Sequence, residues 1–167
     1  MAPRPVRRAG PVTRQGWARR IAIALLTAIV LLGLFDVFGQ GAVTTSARTP
    51  AAAISVNSPA RARGGLLFTT QIVVRAIQPV GHLRLVLSDG WFEGMTFNGL
   101  APQPAVEKSL DGSMFLGYGK LNPGEQLTVW ISWQVNPTSA GLRTQDVTVL
   151  DGERTLVAVH RTLTIFP

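Results

Sequence analysis

The sequence predicts an all-β immunoglobulin-like sandwich of about seven strands, preceded by one N-terminal transmembrane α-helix. Three observations carry this expectation: an uncharged apolar run broken only by Asp36 at residues 21–38, a period-two alternation of apolar and polar residues beyond Leu66, and Gly-containing turn pairs distributed through residues 66–167. A chain of 167 residues holds one ordinary domain plus an appendage.

Residues 1–20 form a basic tail. The formal net charge is +7, yet Arg4, Arg7, Arg8, Arg14, Arg19 and Arg20 stand there without an acid, so the rest of the chain is close to neutral. The basic character belongs to the tail, where Trp17 is the lone aromatic. Topogenic signalling and attraction to anionic inner-leaflet lipid therefore explain it better than nucleic-acid binding.

Residues 21–38, IAIALLTAIVLLGLFDVF, form the expected membrane span. At 1.5 Å per residue these eighteen residues reach about 27 Å, close to a hydrocarbon core of ~30 Å. Arg19 and Arg20 precede the run and no Lys or Arg follows until Arg48, which places the N-terminus in the cytoplasm and the remainder outside the cell membrane. A cleaved signal peptide is the rival, with small residues at Thr45-Ser46-Ala47, but the apolar run exceeds a signal core. Asp36 falls near the outer boundary, where it either reaches headgroup water or meets a partner helix, with Ala24 and Ala28 as a small-residue face.

Residues 39–65 are rich in Ala, Ser, Thr, Gly and Pro and contain no aromatic residue, so they read as a flexible linker. The β domain is expected over residues 66–167. Leu127, Val129, Ile131, Trp133 and Val135 alternate with Thr128, Trp130, Ser132 and Gln134; Phe68, Thr70, Ile72 and Val74 repeat the pattern, as do Leu83, Leu85 and Leu87. Turns are expected at Asp89-Gly90, Asn98-Gly99, Asp111-Gly112, Asn122-Pro123-Gly124 and Asp151-Gly152. Strict alternation from Val157 and Val159 would send Arg161 inward, and a bulge near His160 is expected to prevent this.

The strand at Phe68 to Arg75, the segments Leu85-Val86-Leu87-Ser88-Asp89 and Gly94-Met95-Thr96-Phe97, and Leu121-Asn122-Pro123-Gly124-Glu125 leading into Leu127-Thr128-Val129 together resemble bacterial extracytoplasmic immunoglobulin-like modules. They are similar to the repeats called domain of unknown function 11 and to the cell-adhesion-related bacterial domain. Those modules often carry an Asn-x-Gly turn after the first long strand, where this chain has Gln78-Pro79-Val80-Gly81. The resemblance implies a fold and a surface setting.

Little in the residues points to catalysis. There is no cysteine, hence no disulfide, thiolate metal site or cysteine nucleophile. His82 and His160 lack metal-ligand spacing, no G-x-S-x-G elbow surrounds any serine, and Gly117-Tyr118-Gly119-Lys120 leads to a turn rather than a phosphate-receiving helix. No enzyme activity, cofactor or metal is expected, and an envelope hydrolase would need a pocket with convergent polar groups.

The candidate interaction residues are Trp130, Trp91 and Asp36. Trp133 shares a face with Leu127, Val129 and Ile131 and is expected in the core; Trp130 then points outward among Thr128, Ser132 and Gln134, free to stack on a sugar ring or anchor a partner unless Arg143, Arg161 or a loop covers it. Trp91, with Phe92, either caps the sandwich edge or makes a sticky end. The expected function is a membrane-anchored interaction module that binds an envelope protein or wall polymer. The alternative is an accessory subunit docked through its transmembrane helix onto a larger membrane protein.

Overall fold

A computed structural model describes residues 14–34 and 41–167, and the chain divides into a helical unit and a β unit. Helix α1 spans Arg14–Leu34. It starts earlier than expected because the arginines of the tail are themselves good helix formers. Among the described residues no helix is long and apolar enough to cross a membrane, so the span expected at residues 21–38 is not found there. Residues 35–38, including Asp36, lie outside the described residues.

The β unit contains thirteen strands among the described residues. They are β1 (Ala42–Arg48), β2 (Ala52–Pro59), β3 (Arg61–Arg63), β4 (Leu67–Ala76), β5 (Val80–Leu87), β6 (Met95–Ala101), β7 (Val106–Leu110), β8 (Ser113–Leu121), β9 (Gln126–Val135), β10 (Gly141–Thr144), β11 (Val147–Asp151), β12 (Arg154–Val159) and β13 (Thr162–Phe166). Sheet A has the order β1-β2-β4-β9-β6, sheet B β10-β13-β3, and sheet C β12-β11-β5-β8-β7. Neighbours are antiparallel except β13 with β3, which run parallel. The all-β sandwich thus holds, with more strands than the seven expected.

The largest departure is the expected linker. Residues 42–63 form three strands, and β2 pairs with both β1 and β4. The signal was present in small residues: Ala52, Ile54, Val56 and Ser58 alternate and all four are buried, so this stretch supplies one stripe of the core despite having no aromatic. The sandwich therefore begins at β1, well before residue 66.

Inward residues of the three sheets share one apolar core. The alternations read from the sequence hold in β4, β5 and β9, whose Ile72, Val74, Leu85, Leu87, Val129, Ile131 and Val135 are buried. Three of the expected turns connect strands. At Asp111-Gly112 both residues have positive φ, 50° and 77°, the mirror-image turn that follows the twist of a two-residue hairpin. Asn98-Gly99 instead lies inside β6 at a register shift against β9, and Asp89-Gly90 opens a short 3-10 turn, Asp89–Trp91. That turn is pressed onto the neighbouring loop: a Cβ on Gly90 would fall on the carbonyl oxygen of Thr144.

Candidate functional site

Trp130 lies on the outer face of sheet A at 48% exposure, three residues from Trp133, which is fully buried. The period of two in β9 separates the two indoles. Register builds the surroundings of Trp130: it faces Gln71 on β4 and Ala101 on β6, Gln71 faces Asn57 on β2, and Asn57 faces Thr44 on β1. The row on one side holds Ser132 and Thr69, and the row on the other holds Thr128, Val73, Ser55 and Ser46. These rows form a sheet face of hydroxyls and amides around one indole, without a charge. Ala101 and Gly99 leave the β6 flank of the ring low.

Neither arginine expected as a possible cover reaches the ring. Arg143 donates from Nε to the Glu93 carbonyl at 3.0 Å and from Nη1 to the Leu142 carbonyl at 2.9 Å, with Glu93 Oε1 at 3.6 Å. Arg161 points inward, as strict alternation required; β12 ends at Val159 and β13 starts at Thr162, and no bulge turns the side chain out. Its Nη2 donates to the carbonyls of Ser58 (3.0 Å) and Pro59 (2.8 Å), and its guanidinium carbon sits 5.6 Å from the Trp91 ring centroid. Burial pushes its pKa down to about 10.

Trp91, proposed from sequence as a surface candidate, is fully buried and stacks on Trp133 with centroids 5.5 Å apart, while its Nε1 donates to the Asp146 carbonyl. Phe92 and Phe97 meet Trp133 edge-on. Trp91 is therefore core, because the 3-10 turn folds it under the sandwich end. Asp36 lies outside the described residues.

Sequence reasoning missed two features of the surface. One is a half-open groove of about 410 Å³ on the outer face of sheet C, lined by Arg84, Val106, Lys108, Leu110 and Phe115 over Gly117 and Gly119. Gly117 pairs with both Arg84 and Val106, so the trough is the missing side chain in the middle of that row. Nearby, burial and the charge of Glu107 raise the phenol of Tyr118 to about 12. The other is a cleft of about 370 Å³ at one end of the Trp130 face, lined by Arg48, Ala53, Arg75, Ala76, Ile77 and Gly124. Both depend on pairing between strands distant in sequence, which no local pattern displays.

Among the described residues no group of three or more His, Cys, Asp or Glu side chains is placed to hold a metal ion. Exposed His160 places Nδ1 3.1 Å from Oδ2 of the half-buried Asp146. The surface can therefore stack and hydrogen-bond.

No family model matches the chain and no curated protein matches it. Among solved structures it is similar to CaCohA2 from Clostridium acetobutylicum, at 13% identity over 71% of this chain and 92% of that one, with a TM-score of 0.48. It is also similar to the CARDB domain of the PF1109 protein from Pyrococcus furiosus, at 14% identity over 71% and 97% of the two chains and a TM-score of 0.41. A third is the reeler domain of human F-spondin, at 11% identity over 77% and 96%, with a TM-score of 0.44. Likenesses this distant assign no function, partner or site.

Proposed function

We propose that the β unit is a non-enzymatic, immunoglobulin-like extracytoplasmic interaction module that binds a glycan of the cell envelope through the outer face of sheet A. The N-terminal helix holds it at the cell membrane with the N-terminus inside. One observation carries the binding part of the reading: a half-exposed indole on β9 flanked by uncharged rows rich in hydroxyls and amides. The C–H face of a sugar ring stacks on the indole, while its hydroxyls find donors and acceptors in Gln71, Asn57, Thr128 and Ser132. A sheet face that runs across five strands suits an extended polymer better than a single small molecule.

The membrane part is supported by the apolar run at residues 21–38 and by the arginines before it, and by Ile21, Leu25, Leu26 and Ile29 standing exposed on successive turns of α1. Protease added to right-side-out membrane vesicles is expected to remove the β unit and spare the tail. Protection of the β unit would reverse the topology.

Binding is tested by sedimenting the detergent-solubilised full chain with walls purified from a Gram-positive bacterium. Loss of a central aromatic anchor costs about 2 kcal/mol or more, roughly a thirtyfold weaker Kd for Trp130→Ala. An unchanged Kd would remove the indole from the reading, and capture of an envelope protein in place of glycan would make the partner a protein.

A further inference from the structure

The cleft at the end of the Trp130 face adds a charge requirement to the polymer, an inference that rests on the glycan-binding reading. Arg48 on β1 and Arg75 on β4 are both directly opposite Ala53 on β2, so one cross-strand row reads Arg48, Ala53, Arg75 and then Gln126. Two strand spacings put the arginine Cα atoms about 10 Å apart, with a methyl group as the floor between them. Both arginines are exposed, and among the described residues neither makes an ion pair with an acid. Glu125, which precedes Gln126, is turned away: its Oε2 accepts from the Asn122 backbone N–H at 2.7 Å and its Oε1 from the Asn122 side-chain amide at 3.0 Å.

Position matters as much as charge. Gln126 lies four residues before Trp130 on β9, about 14 Å along the strand, and the one row between them on this face is neutral. The sequence along the face is thus an indole, one neutral row of Thr128, Val73, Ser55 and Ser46, and a pair of guanidinium groups around a small residue. Guanidinium groups present fixed forks of N–H donors to carboxylate or phosphate oxygens.

We propose that Arg48 and Arg75 receive an acidic substituent, carboxylate or phosphate, on the same glycan strand that stacks on Trp130, so that the module selects acidic over neutral wall polymer. The two anchors act on one ligand, which makes the selectivity a matter of spacing as well as charge.

The test is sedimentation of the full chain in detergent with three preparations of one purified Gram-positive wall. One is untreated, one is treated with hydrofluoric acid to remove phosphodiester-linked polymer, and one has its carboxylates amidated. The wild type is expected to lose at least tenfold in affinity on one of the treated walls, the one that lost the recognised acid. The double variant Arg48→Ala, Arg75→Ala is expected to bind all three preparations equally, at the weak level. Trp130→Ala is expected to weaken binding to every preparation, so its failure to do so strikes the glycan reading rather than the charge requirement. Equal wild-type affinity for all three walls overturns the proposal, and so does a double variant that keeps the preference. Vesicles containing phosphatidylglycerol complete the set: binding to them that depends on Arg48 and Arg75, with no preference among walls, assigns the arginines to lipid and overturns it as well.

Discussion

Trp130 and Trp133 sit three residues apart on one strand, and truncating each should separate the two roles assigned to them. A tryptophan side chain buries about 200 Å² when enclosed, worth about 5 kcal/mol at ~25 cal/mol per Å² and about 3–4.5 once a compact unfolded chain is allowed for. Trp133 is fully buried, so Trp133→Ala should cost about 4 kcal/mol. Trp130 keeps 48% of its surface exposed, which halves the burial term to about 2 kcal/mol or less. The described β residues gain about 2.1 cal/mol/K each on unfolding, or ~0.27 kcal/mol/K together, so Tm should fall by about 15 °C for Trp133→Ala and by about 7 °C or less for Trp130→Ala. Trp133→Phe gives a further reading. The buried Nε1 of Trp133 has no hydrogen-bond partner among the described residues, and an unmet buried donor costs about 1–3 kcal/mol. Phenylalanine discards that donor and keeps ring contacts with Trp91, Phe92 and Phe97, so Tm should stay within about 4 °C of wild type. Thermal unfolding followed by circular dichroism measures all three. Equal shifts for the two alanine variants, or a phenylalanine variant as damaged as Trp133→Ala, would refute the assignment of faces.

Two further outcomes are expected. Tyr118 is the sole tyrosine, so an absorbance titration reports one phenol: its midpoint should lie near 12 in the native chain and near 10 in urea, and a native midpoint near 10 would show that the ring is not held as described. Because the folded value is the raised one, Tyr118 contributes stability that is fully present below pH ~10 and is lost as pH climbs through about 12. Gly90→Ala should lower Tm by about 8 °C or more, since the new methyl meets the Thr144 carbonyl and the turn beneath Trp91 must shift; a melt unchanged by this substitution would mean the contact is loose.

The parts of the fold legible in the sequence are those where local period and burial agree. In β9 the alternation alone separated Trp133 from Trp130, because side chains on a strand change face at every residue. Residues 42–63 escaped because a strand made of Ala, Ser and Thr resembles a tether in composition, and only its partners β4 and the core distinguish it. Arg161 shows the opposite failure: its phase was read correctly and then set aside, since burying a guanidinium is costly. What offsets part of that cost is two backbone carbonyls at the end of β2, both accepting from Nη2, and the face of Trp91, neither adjacent in sequence. The same limit hid the site's second half. Arg48 and Arg75 are far apart in the chain, and only the shared pairing with Ala53 makes them one cleft.

The most direct test of the central claim is the affinity of the full chain for purified wall glycan, compared with Trp130→Ala and with Val106→Ala in the groove of sheet C as a control face. The account predicts binding by the wild type, about a thirtyfold loss for Trp130→Ala and no change for Val106→Ala. A wild type that leaves the glycan in solution, or a loss confined to Val106→Ala, would contradict it.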